Sequence, residues 1–154
     1  MSKRRNVNRG YMKLVVWQDA NTLYGLTYTI FGKFPFELRR VASQQIASVD
    51  SVHRNIAEGY CRRSIAEYLG FLNYALGSLG ESVSATHVYR NASQLSDSEF
   101  EDWDALAFKI ENGMKRLIES LQRKRNTGSW DDSFVVKESN AMYGAAIESD
   151  EDES

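Results

Sequence analysis

Four amphipathic helices running up-down-up-down in an antiparallel bundle, an all-α fold, are what this chain is expected to form. Apolar residues recur at alternating steps of three and four over most of its length, the spacing that lines one face of a helix. Two Ser-x-x-Glu boxes, at Ser64 to Glu67 and at Ser96 to Glu99, stand where helices would begin. Only one proline, Pro35, occurs in 154 residues, too few for a loop-rich or all-β design.

The first helix is expected over residues 12–32, on Val16, Ala20, Leu23, Thr27 and Ile30. Trp17, Tyr24 and Phe31 form a second row seven apart. Pro35 then takes a first-turn place in the second helix, with Glu37 favourable to its dipole. Leu38, Ala42, Gln45, Val49, Val52 and Ile56 form its inner row, and Gly59 is expected to end it in the left-handed C′ position.

Ser64 and Glu67 then read as a capping box that opens the third helix. It covers residues 65–89 on Ile65, Leu69, Leu72, Leu76, Leu79 and Val83. The fourth covers residues 97–125, with a second box at Ser96 and Glu99 and a hydrophobic staple of Leu95 with Phe100. Its row is Phe100, Trp103, Ala107, Ile110, Met114, Leu117 and Leu121. Arg123, Lys124, Arg125 and Gly128 close it with the charge and the glycine that suit a helix C-terminus.

Charge divides the chain into a basic flexible arm (residues 1–11), the bundle (12–125) and an acidic disordered tail (126–154). The net charge of −2 hides this: residues 1–125 hold 18 Lys and Arg against 13 Asp and Glu, while residues 126–154 hold one lysine against eight acids. The N-terminal stretch lacks the apolar core of a signal peptide, and no run is long and apolar enough to span a membrane. The lone cysteine, Cys61, rules out an internal disulfide framework. A cytoplasmic protein without membrane contact is the expectation.

Two surfaces stand out. Between Ser64 and Tyr89 there is no Lys or Arg, and the only acids are Glu67 and Glu81. The outer positions Gly70, Phe71, Tyr74, Gly77, Ser78, Ser82 and Ala85 are small or aromatic. That reads as a self-association interface, against the duller alternative of a polar surface that merely lacks charge. The second surface is the corner "NIAEGYCRRS". Arg54, Arg62 and Arg63, with Arg39, Arg40 and the arm's Lys3, Arg4, Arg5, Arg9 and Lys13, are candidate phosphate contacts next to the helix start at Ser64. The alternative is a solvated corner whose arginines satisfy the preceding carbonyls. Asn55, Glu58, Gly59, Ser64 and Glu67 read as a structural motif at this corner.

No constellation for catalysis or metal binding emerges. No glutamate is followed three residues later by a histidine, as a di-iron bundle requires. His53 and His87 lack further ligands at metal spacing, and Cys61 lacks a base. Glu99, Glu101, Asp102 and Asp104 suit the dipole of a helix start. No catalytic residue, metal or cofactor is expected.

The elements "VWQDANTLYGLTYTIFGKFP", "SVHRNIAEGYCRRSIAEYLGFL" and "YALGSLGES" make the chain similar to bacterial four-helix-bundle proteins encoded in intervening sequences of large-subunit ribosomal RNA genes. The similarity runs from about Val15 to Arg123. It implies an antiparallel bundle, assembly as a homopentamer around a channel, and no enzymatic activity. Related bundles are accessory proteins of diversity-generating retroelements, which bind a reverse transcriptase and nucleic acid through a basic surface. The chain departs from that pattern at Gln45-Ile46-Ala47-Ser48, where relatives often carry an Arg-Ala pair, and at His53, where they carry proline. Two functional readings follow. One is an oligomeric scaffold that binds RNA or DNA, as the partner of a reverse transcriptase; the other is a protein-interaction bundle that binds no nucleic acid.

Overall fold

The computed structural model describes residues 9–127. Within them four long helices follow one another: α1 (Val15–Phe31), α2 (Arg39–Tyr60), α3 (Ile65–Asn91) and α4 (Asp97–Thr127). Each packs on the next and α4 closes against α1, so the short corners produce an antiparallel four-helix bundle. Beyond its first two residues, which end α4, the expected acidic tail lies outside the described residues, as do residues 1–8 of the arm.

The core follows the rows read from the sequence in α1, α2 and α4, while in α3 the expected Leu76 and Val83 are half-buried and Tyr68, Ala75 and Thr86 are buried instead. Leu23, Val49, Val52, Ile56, Leu72, Leu79, Trp103, Ile110, Met114 and Leu117 are wholly excluded from solvent. Most polar atoms inside it are paired, as burial demands, the Trp17 indole nitrogen being an exception among the described residues. Trp103 donates its indole N–H to Thr27 Oγ1 at 2.9 Å, and Thr27 donates to the Leu23 carbonyl. Between α2 and α3, Gln45 Nε2 donates to the Ser82 carbonyl (2.9 Å) and to Thr86 Oγ1 (2.8 Å). Ser82 Oγ donates to Ser48 Oγ at 2.9 Å. Ser82 is therefore buried, where the sequence placed it on the outer face. Serine is short enough to point inward once a partner hydroxyl faces it.

Three helix boundaries differ from expectation. A separate 3-10 turn, Gly10–Lys13, precedes α1, and Leu14 between them is extended (φ −70°, ψ 129°) and buried. Tyr11 in that turn packs on Trp17 and Tyr60, and Tyr60 packs on Tyr68, so an aromatic chain seals this end. Pro35 is extended (ψ 160°) and precedes a 3-10 turn, Phe36–Leu38, so α2 starts at Arg39 instead of at the proline. Gly59 lies inside α2, which continues to Tyr60 and ends at Cys61 with a right-handed φ of −79°.

The left-handed cap instead occurs at the α3–α4 corner. Ser93 has φ 60°, its N–H donates to Arg90 O, and the Gln94 N–H donates to Tyr89 O, both at 2.9 Å. This is the Schellman pattern with serine in the place glycine usually takes.

Candidate nucleic-acid interface

The position of each charged residue along the bundle follows from the hydrogen bonds between helices. Antiparallel register pairs Gln45 with Ser82 and Thr86, His87 with Asp104, and Arg90 with Asp97. Carrying that register down α3 sets Ser64 level with the last turn of α4. One end of the molecule, called the entry end here, therefore gathers the Gly10–Lys13 turn, the α2–α3 corner and the C-terminus of α4. The α1–α2 and α3–α4 corners form the far end.

The five arginines expected to face phosphate fall into separate groups on this frame. Arg39 and Arg40 begin α2 at the far end, and Arg62 and Arg63 follow its last residue at the entry end. The 22 residues of α2 separate them by about 33 Å. Arg39 lies over the Phe36 ring, 4.1 Å from its centroid, and donates to the Phe36 carbonyl. Arg54 is held within α2 by Asp50. Asp50 also meets His53 Nε2 at 2.8 Å. Partial burial pushes the Asp50 carboxyl up, and the hydrogen bonds from His53 and Arg54 more than offset this, leaving it below the usual carboxylate range.

At the corner, Arg62 donates to Glu58 at 2.8 Å and lies 4.9 Å from the centroid of Phe71. Arg63 is exposed and makes no ion pair among the described residues. Ser64 Oγ accepts from the Glu67 N–H at 3.4 Å. The return bond of the capping box is replaced by an approach of Glu67 to Arg62 at 4.0 Å. Asn55 Nδ2 donates to Ser51 O within its own helix, at 2.8 Å. Gly59 is the member of this motif with a strict spatial role. An added Cβ would stand 2.8 Å from Phe71 Cβ and 2.9 Å from Tyr68 Cδ2.

Further cations share the entry end. Arg123, Lys124 and Arg125 lie in the last turns of α4, with Arg9 and Lys13 at the Gly10–Lys13 turn. The far end is the reverse. Asp97, Glu99, Glu101, Asp102 and Asp104 crowd the start of α4, where Asp97 pairs with Arg90 at 3.1 Å. A hydrogen bond from the Ser96 N–H holds the Glu99 carboxyl below its ordinary range, with Lys33 helping. Arg90 thus pairs with an acid of α4 and Lys33 acts on another, while at the entry end Arg62 is paired with Glu58 and Arg63 has no ion pair among the described residues. The sequence shows each half of α4 as a local complement to the helix dipole. Only the antiparallel register turns those halves into the poles of the molecule.

On α3, Tyr74 and Gly77 are exposed, while Gly70, Phe71 and Ser78 are half-buried. A Cβ at Gly70 or Gly77 would meet nothing within 4 Å. The outer side of α1 matches it in character, with exposed Gln18, Asn21, Thr22, Gly25, Tyr28 and Thr29. Among the described residues no group of three or more His, Cys, Asp or Glu is placed to hold a metal. None of the described helices is long and apolar enough to cross a membrane.

The sequence profile of the 23S rRNA-intervening sequence proteins matches residues 12–116, more than half of the chain. The chain belongs to that family. The match of this 23S rRNA-intervening sequence protein ends at Arg116, so the Arg123-Lys124-Arg125 run lies beyond it. A crystal structure at 1.70 Å from Bacteroides thetaiotaomicron VPI-5482, a protein of unknown function from the S23 ribosomal protein family, has a TM-score of 0.64. It is 18% identical over 68% of this chain and 96% of that one, a likeness of fold. Among curated proteins none matches.

Proposed function

We propose that this intervening-sequence protein is a non-enzymatic scaffold that assembles with copies of itself and holds RNA or DNA by its phosphates at the entry end. The observation that carries the reading is the gathering of Arg62, Arg63, Arg123, Lys124 and Arg125 at one pole, opposite an acidic pole. Phosphate contacts need cations that are not already neutralised, and Arg63 has no carboxylate partner among the described residues. Arg39 and Arg40 contribute little in this reading, because the acids at their end repel the same backbone that they attract. A reverse transcriptase acting on the held strand is the partner that the family resemblance implies, and joint purification of the two chains tests that step.

Fluorescence anisotropy of a labelled RNA hairpin and a DNA duplex tests the binding. Binding is expected to weaken steeply with salt, and Arg62→Glu with Arg63→Glu to abolish it, whereas Arg39→Glu with Arg40→Glu leaves it nearly intact. A protein that binds neither probe at low salt returns the chain to the second reading, a protein-interaction bundle. The uncharged outer sides of α1 and α3 favour that alternative.

A further inference from the structure

The basic pole has a candidate ligand within its own chain. α4 ends at Thr127 at the entry end, and residues 128–154 follow it in the chain, close after Arg123, Lys124 and Arg125. Those residues carry eight acids and one lysine, and five of the acids cluster as Glu148, Asp150, Glu151, Asp152 and Glu153. A chain of about 20 residues has a root-mean-square reach of roughly 25 Å, enough to bring that cluster back across the end of a bundle. Tethering of this kind supplies the ligand at about millimolar effective concentration, so a weak electrostatic contact suffices to fill the site. The carboxylates offer what a phosphate backbone offers: closely spaced negative charge without a demand for shape.

We propose that the acidic segment 128–154 is an intramolecular ligand of the basic pole, which it occupies in competition with nucleic acid. This rests on the proposed phosphate-binding role of that pole for its regulatory meaning, but the contact itself does not. The contact orders the two ligands by charge density. A short or singly contacting strand fails to displace the segment, whereas a long duplex that engages several cations at once succeeds. The same competition makes the intact chain more selective for extended nucleic acid than its cations alone would be.

Cys61 gives direct access to the contact. It is the only cysteine, it is exposed, and it adjoins Arg62. A nitroxide attached there in the full-length protein is expected to broaden the amide NMR signals of residues 148–153 at low salt. The broadening should disappear at about 1 M salt, where the screening length falls to about 3 Å. A full-length variant with Glu148→Gln, Asp150→Asn, Glu151→Gln, Asp152→Asn and Glu153→Gln should lose the broadening and bind a DNA duplex about tenfold more tightly at low salt.

Absence of broadening in the unaltered chain overturns the contact, and any nucleic-acid binding then stands by itself. Broadening without a gain in duplex affinity for the neutralised variant overturns the competition. Broadening in a protein that binds no nucleic acid in either form leaves the intramolecular contact in place and removes the phosphate reading instead.

Discussion

A methyl group added at residue 59 has no space to enter. Its nearest neighbours would be Phe71 Cβ at 2.8 Å, Tyr68 Cδ2 at 2.9 Å and the Tyr68 carbonyl oxygen at 3.2 Å. None of these is the free end of a flexible chain, so α3 itself must move away from α2. The glycine lets the two helices meet at the foot of the bundle, and its value lies in closeness instead of in an unusual φ. Gly59→Ala is therefore expected to destabilise the fold by about 1–3 kcal/mol despite the better helix propensity of alanine. Urea denaturation with an unchanged m-value checks this. A stabilised variant would mean that the α2–α3 contact is looser than its geometry implies.

The two capping boxes look alike in sequence but differ in strength. At α4 both bonds form: the Ser96 N–H donates to Glu99 Oε1 at 3.0 Å and the Glu99 N–H donates to Ser96 Oγ at 3.1 Å. At α3 only the long 3.4 Å bond to Ser64 is present, because Glu67 turns toward Arg62. Ser96→Ala should cost about 1 kcal/mol and Ser64→Ala clearly less, as read from denaturation midpoints. The Glu99 bond also sets a pH dependence. Its carboxyl is lowered in the folded state, so the stability it contributes is present above the ordinary carboxylate pKa and is lost as the pH falls through the lowered value. The stability gap between the unaltered chain and Glu99→Gln should begin to narrow as the pH falls below the ordinary carboxylate range and close at more acid pH.

These cases show what a sequence can reveal of a helix. The inner rows from Val16 to Leu121 were legible because burial follows a fixed angular period, and only on α3 does the buried stripe drift off the expected Leu76 and Val83. The ends were less so. Pro35 suits either a helical first turn or an extended lead-in, and the 3-10 turn after it decides between them. Ser93 takes a left-handed cap that composition assigns to glycine. Gln45 could be placed on the inner face, but its partners Ser82 and Thr86 belong to another helix and depend on the register. The corner arginines were visible in the same way as single residues, while the pole they form was not.

At the level of the whole molecule, the uncharged sides of α1 and α3 set a question that the single chain does not answer energetically. Glycine within a helix costs about 0.5–1 kcal/mol relative to alanine. At Gly77 no atom within 4 Å of the missing Cβ compensates for that cost. The compensation must come from something outside the described residues. In the self-association proposed above, a neighbouring copy whose helix approaches Gly77 and the exposed ring of Tyr74 would supply it, because close backbone approach is what a missing side chain permits. The sign of one substitution then separates the two situations. In an isolated bundle Gly77→Ala should raise stability by about 0.5–1 kcal/mol at every protein concentration. In the self-associating scaffold proposed above, the added methyl wedges the copies apart. Sedimentation should then show smaller particles, and Tm should fall and become more dependent on concentration. The second outcome is the expected one, and a uniform gain in Tm with unchanged sedimentation would assign the α3 side to solvent.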